Sequence, residues 1–132
     1  MISRAVVVLV FLVACGDDDG GAPDARLAPN GCPVLEQPLA APGDPIDGDT
    51  WDTFAEDFFA TWCVRCHSST LTGTARNGAP EGFNWDVEAS VREHLPMIRA
   101  AVGVDNIMPF TPPDPTCDER ARLVRWIDGG AP

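Results

Sequence analysis

Apolar side chains recur with helical spacing in three stretches of this 132-residue chain. Trp51, Phe54, Ala55, Phe58, Phe59 and Trp62 fall at i, i+3, i+4, i+7, i+8 and i+11, with Asp52, Glu56 and Asp57 on the opposite side. That period predicts an amphipathic helix with one core-facing side, capped by Asp49 or Thr50. A second run, about Val87 to Val102, puts Val91, Leu95, Ile98 and Val102 on one stripe. Asp86 is its candidate cap, and Pro96 should break or kink it. The third run is the clearest. Thr116-Cys117-Asp118-Glu119 has the Thr-x-x-Glu form of a capping box, Leu123, Val124, Trp126 and Ile127 follow, and Gly129-Gly130 supplies a stop. No stretch after residue 15 alternates in the manner of a strand, so the predicted fold class is all-α.

The pattern is different at the N-terminus. Arg4 precedes an almost unbroken apolar run from Ala5 to Leu12, about the length of a signal-peptide core and too short to span a bilayer. Leu12-Val13-Ala14-Cys15 resembles the lipobox of bacterial lipoproteins, which implies that Cys15 receives lipid and becomes the mature N-terminus. An ordinary secretory signal ending near a cysteine is the alternative. Both export the chain, and the lipid reading places it in the periplasm or cell envelope, attached to a membrane surface through its anchor. Gly16 to Asp49 is rich in Gly and Pro, carries Asp17-Asp18-Asp19, and has no helical or strand period. It reads as a flexible tether followed by an extended, proline-pinned segment. The expected division is 1–14 signal peptide, 15–49 tether and extended segment, and 50–132 one compact domain.

Charge narrows the partners. Nine arginines and no lysine face twenty Asp and Glu, a formal charge of −11, and removal of Arg4 with the signal makes it more negative. Such a surface does not suit nucleic acid or anionic headgroups and favours a basic redox partner, although many exported proteins are acidic for solubility alone. The reading is of a monomer. A domain of roughly 80 residues has a small core, which a large apolar cofactor and a disulfide would both support.

The candidate chemistry sits where the first helix ends. Cys63-Val64-Arg65-Cys66-His67 has the C-x-x-C-H spacing that attaches a c-type haem. Two thiols one helical turn apart can each bind one vinyl group of the porphyrin, and the next histidine lies where its imidazole can bind the iron. A thioether on the other face would raise the reduction potential. Met108, in the proline-rich loop Asn106-Ile107-Met108-Pro109-Phe110, is the expected sixth ligand; Met97 beside Pro96 and His94 are the alternatives. A six-coordinate iron leaves no open position for substrate, which predicts an electron carrier and not an enzyme.

An aromatic helix leading into C-x-x-C-H, a Met-Pro loop about forty residues later and a last helix ending in Trp-Ile-Asp-Gly-Gly resemble a small monohaem class I cytochrome c over about Thr50 to Pro132. The resemblance implies a bundle of three to four helices around one covalent haem c. It implies that the first and last helices pack, bringing Phe58 or Phe59 against Leu123, Trp126 or Ile127. It also implies that the loop Ser68 to Asn84 covers one haem face, where Arg76 could meet a haem propionate or stay solvated. Trp85 would close the pocket or join the core.

Cys32 and Cys117 remain after these assignments, and in an exported protein an even leftover pair favours a disulfide. It would shorten the free tether to Gly16–Gly31, whose coil-like reach is roughly 20–25 Å. Two other readings compete. Trp62-Cys63-Val64-Arg65-Cys66 resembles the active site of tethered thioredoxin-like thiol-disulfide oxidoreductases, in which Cys63 would attack as a thiolate. Cys63, Cys66, His67 and Cys117 could instead form a structural zinc site.

Overall fold

The computed structural model describes residues 26–132. Cys15, the signal-like run and most of the tether lie outside the described residues. Within them the chain is all-α: four α-helices and no strand, with one isolated bridge between Leu27 and Pro33. Helix α1 (Glu56–Trp62) continues a π-helical turn (Trp51–Ala55), α2 is Glu88–Glu93, α3 is Leu95–Arg99 and runs into a second π-helical turn (Ala100–Val104), and α4 is Cys117–Asp128.

The first helical stretch starts at Thr50, whose hydroxyl accepts from the Thr53 amide while Thr53 Oγ1 accepts from the Thr50 amide. Asp49 does not cap. Its carboxylate takes the Arg122 guanidinium of α4 in two bonds of 2.8 and 2.5 Å. The second stretch breaks as Pro96 requires: α2 ends at Glu93, and Pro96 falls in the first turn of α3, where a missing N–H costs nothing. Asp86 is not its cap either. The N-cap is Val87 with no side-chain bond, because Asp86 is engaged by the Ser69 amide and the Ser68 and Ser69 hydroxyls. The Thr116–Glu119 capping box of α4 forms as predicted.

One core joins these pieces: Phe54, Phe58, Phe59, Val91, Ile98, Val102, Leu123, Trp126 and Ile127 are all buried. Trp51 links the first and last stretches, with ring centroids 5.9 Å from Phe59 and 6.5 Å from Trp126. Arg122 lies over the Phe54 ring at 4.2 Å. Two glycines allow close approaches. A Cβ on Gly103 would sit 2.6 Å from Val124, and one on Gly129 would sit 2.7 Å from Ile46.

The extended segment before Thr50 is packed against the helices. Leu35 N–H donates to Gly103 O and Gly43 N–H to Gly129 O, each closing a long-range contact. Arg99 holds Asp128 while also donating to Gln37 O, and Ile46 is a core residue. Cys32 and Cys117 form a disulfide across 85 residues of sequence, fastening this segment to the start of α4.

Candidate cofactor site

Helix α1 ends in a tight turn that sets the motif. Cys63 N–H donates to Phe59 O, and the amides of Cys66 and His67 both donate to Cys63 O. This fold-back brings two half-buried thiols and the His67 imidazole onto one cavity of about 430 Å³, within the usual size of a small-molecule site. Met108 lines the same cavity from the loop after the second π-helical turn. Phe59, Trp62, Trp85, Ile98 and Val102 make the remaining walls largely apolar.

His67 is oriented on two sides. Its Nδ1 lies 3.2 Å from Phe83 O, a bond that needs the proton on Nδ1 and leaves the Nε2 lone pair for a metal. Trp85 stacks on the imidazole, centroids 5.0 Å apart and planes 20° from parallel, while the Trp85 amide donates to His67 O. Burial lowers the His67 pKa, the Arg76 charge adds to the lowering, and the Phe83 bond opposes it. The lowering favours the neutral ring, the form that ligates. Trp85 is both a core residue and a wall of the cavity.

The loop between the motif and α2 is organised by Arg76. This side chain is 1% exposed, so it is not solvated. Its donors are taken by the carbonyls of Ser68, Leu71, Ala79, Pro80 and Phe83 and by Asn84 Oδ1. Those bonds leave the guanidinium committed to its own loop instead of to a propionate. The signal that could have found this role is weak in sequence: one arginine amid turn-forming residues, with carbonyls that only the folded loop converges.

The Met108 loop is held differently. Arg65, inside the motif, donates to the carbonyls of Thr111, Pro112 and Pro113. From beneath, buried Arg120 donates to Met108 O at 2.6 Å and Val102 O at 3.3 Å, and the Met108 amide donates to Ala101 O. Met97 reaches the cavity edge but is 42% exposed. His94 does not line the cavity. It packs on Phe83 and Trp85, and its Nδ1 lies 2.7 Å from Ser90 O.

Haem fits these residues: two unpaired thiols, a neutral imidazole with its second nitrogen already bonded, and a thioether all border one apolar space. A reactive dithiol fits less well. Burial pushes the Cys63 thiol up to about 12, whereas an attacking cysteine needs a lowered value, and the described residues contain no strand on which a thioredoxin-like site could sit. The zinc set loses Cys117 to the disulfide, and no group of three His, Cys, Asp or Glu among the described residues is placed to hold a metal ion by itself. No protein-family model, curated protein or solved structure matches the chain.

Proposed function

We propose that this protein is a lipid-tethered monohaem c-type cytochrome of the small class I kind, which carries electrons and has no catalytic reaction of its own. The observation that carries the reading is the meeting of Cys63, Cys66, His67 and Met108 on one apolar cavity. Bound haem would supply a one-electron Fe(III)/Fe(II) couple. In this reading Cys63 and Cys66 would anchor it through their sulfurs, His67 Nε2 and Met108 Sδ would hold its iron, and Trp85 and Phe59 would keep water from the site. Phe83 O fixes the tautomer and plane of His67. Cys15 attaches the carrier to a periplasmic or cell-envelope membrane surface, and the acidic surface selects basic redox proteins as donor and acceptor.

The test is expression with haem maturation machinery. Haem that stays on the polypeptide through a denaturing gel, and is lost from a Cys63→Ser, Cys66→Ser double variant, is the expected result. A colourless protein with two titratable thiols would refute it and favour the thiol-disulfide alternative. Met108→Ala should abolish the weak sulfur-to-iron band near the red end of the spectrum and lower the midpoint potential; an unchanged spectrum would remove Met108 from the ligand set. Cys15→Ser should move the protein from the membrane fraction to the soluble one.

A further inference from the structure

Among the described residues two arginines are fully buried, and neither forms an ion pair, although the Asp114 carboxylate acts on Arg120 from beyond contact distance. Arg76 and Arg120 are each 1% exposed, and no ion pair among the described residues includes either of them. The paired arginines lie elsewhere: Arg26, Arg92, Arg99, Arg122 and Arg125 each hold an Asp or Glu. A buried charge without an ion-pair partner is costly. Hydrogen bonding alone does not account for Arg120, because its Nε has no partner. A neutral donor could serve the Val102 and Met108 carbonyls with less desolvation.

The placement of the pair supplies a reason. Arg76 donates to Phe83 O at 2.9 Å, the carbonyl that also accepts from His67 Nδ1. Arg120 donates to Met108 O. Neither side chain lines the cavity, so neither is a direct cofactor contact; each acts one bond behind a candidate axial ligand. We propose that Arg76 and Arg120 are positioning residues that hold both ends of the His67–Met108 axis at positive potential and bias the cofactor toward its reduced form. This rests on the haem reading above.

The physical basis is a difference in charge. Reduction takes one electron from a donor protein, makes and breaks no bond, and lowers the charge of the ligated iron by one unit. Fixed cations in a low-dielectric interior therefore disfavour the oxidised form more than the reduced one. The shared carbonyl works in the same direction. Phe83 O divides its acceptor capacity between a guanidinium and the imidazole N–H, which weakens the push of that bond on His67 and makes the ring a poorer donor to iron.

The haem-loaded full-length protein, with Arg120→Met and Arg120→Lys variants, tests this by midpoint potential and the red-end absorption band. Arg120→Met should lower the potential by on the order of tenfold in the oxidised-to-reduced ratio, about 59 mV for a one-electron couple, with the sulfur-to-iron band retained. The shift should persist from about 0.01 M to about 1 M salt, since buried charges are poorly screened. Arg120→Lys should stay near the parent value. Arg120→Gln keeps the comparison available if the methionine variant does not accumulate. An unshifted potential in the neutral variants, or an equal drop in Arg120→Lys, would overturn the proposal by removing charge as the cause. So would loss of the band in all variants, which would leave Arg120 only a brace for Met108. A parent protein that binds no haem would instead overturn the functional reading, which separates the two failures.

Discussion

The motif side of the cavity and the Met108 side are built from different ranges of sequence. Between Cys63 and Asp86 the chain holds itself: Arg76 gathers acceptors from Ser68 to Asn84, Asp86 ties Ser68 and Ser69, and His67 rests on Phe83 O and Trp85. The Met108 loop has few internal bonds. It is held by Arg65, 46 to 48 residues away, and by Arg120 of α4, with the Cys32–Cys117 disulfide just beyond its far end. The first side is set once its segment closes, whereas the second depends on the whole domain being assembled. A ligand on the second side should therefore be the more easily displaced.

The largest effect should come from the self-contained side. Arg76→Met would leave several buried carbonyls without donors, each costing roughly 1–3 kcal/mol, and should destabilise the protein by about 5 kcal/mol in urea unfolding. A loss under about 1 kcal/mol would mean that the loop does not depend on this network. On the other side, the paired Cys32→Ser, Cys117→Ser variant should lose about 4.5 kcal/mol on the chain-entropy model, measured against the parent without reductant. An equal midpoint for the two would show that the bridge does not tie the N-terminal segment to α4.

A smaller, local effect is expected at Arg65, an exposed residue. Arg65→Gln should cost about 1 kcal/mol in stability yet weaken the red-end band and speed imidazole binding to the iron. Unaltered ligand exchange would show that the motif does not clasp the Met108 loop.

The smallest effect concerns acid. Burial opposes ionisation of Asp86, but the hydrogen bonds from Ser69 and Ser68 outweigh it and leave its pKa lowered. A lowered carboxylate adds stability above its unfolded value and loses it as the pH falls through the folded one. Protection of the Ser69 amide should thus decline below about pH 4. Asp86→Asn should flatten the decline; an acid limb identical to the parent's would assign it to other carboxylates.

Much of the helical layout is legible along the chain. The 3.6 period of Trp51 to Trp62, the Thr116–Glu119 box and the break at Pro96 are local signals, and local hydrogen bonds honour them. The motif turn is local as well. Asp49 and Asp86 mislead because a cap position is only an opportunity. Arg122 and the Ser68–Ser69 pair offer these carboxylates stronger partners, 73 and 17 to 18 residues distant. Arg76 and Arg120 are misleading in the same way, since arginines are usually exposed and nothing beside them in sequence announces burial.

What the sequence determines by itself is therefore the inventory and its short-range geometry. It sets which stretches become helices, that two thiols and an imidazole share one turn, and that a methionine waits in a proline-rich loop. The tertiary structure decides which of these meet. It brings Met108 to the cavity that Cys63, Cys66 and His67 border, packs residues 26–49 against the helices, and buries two unpaired guanidiniums behind the candidate ligands. The reason is range: hydrophobic period and capping act within a few residues, whereas burial and the convergence of carbonyls on a cation exist only after distant segments have closed on one core.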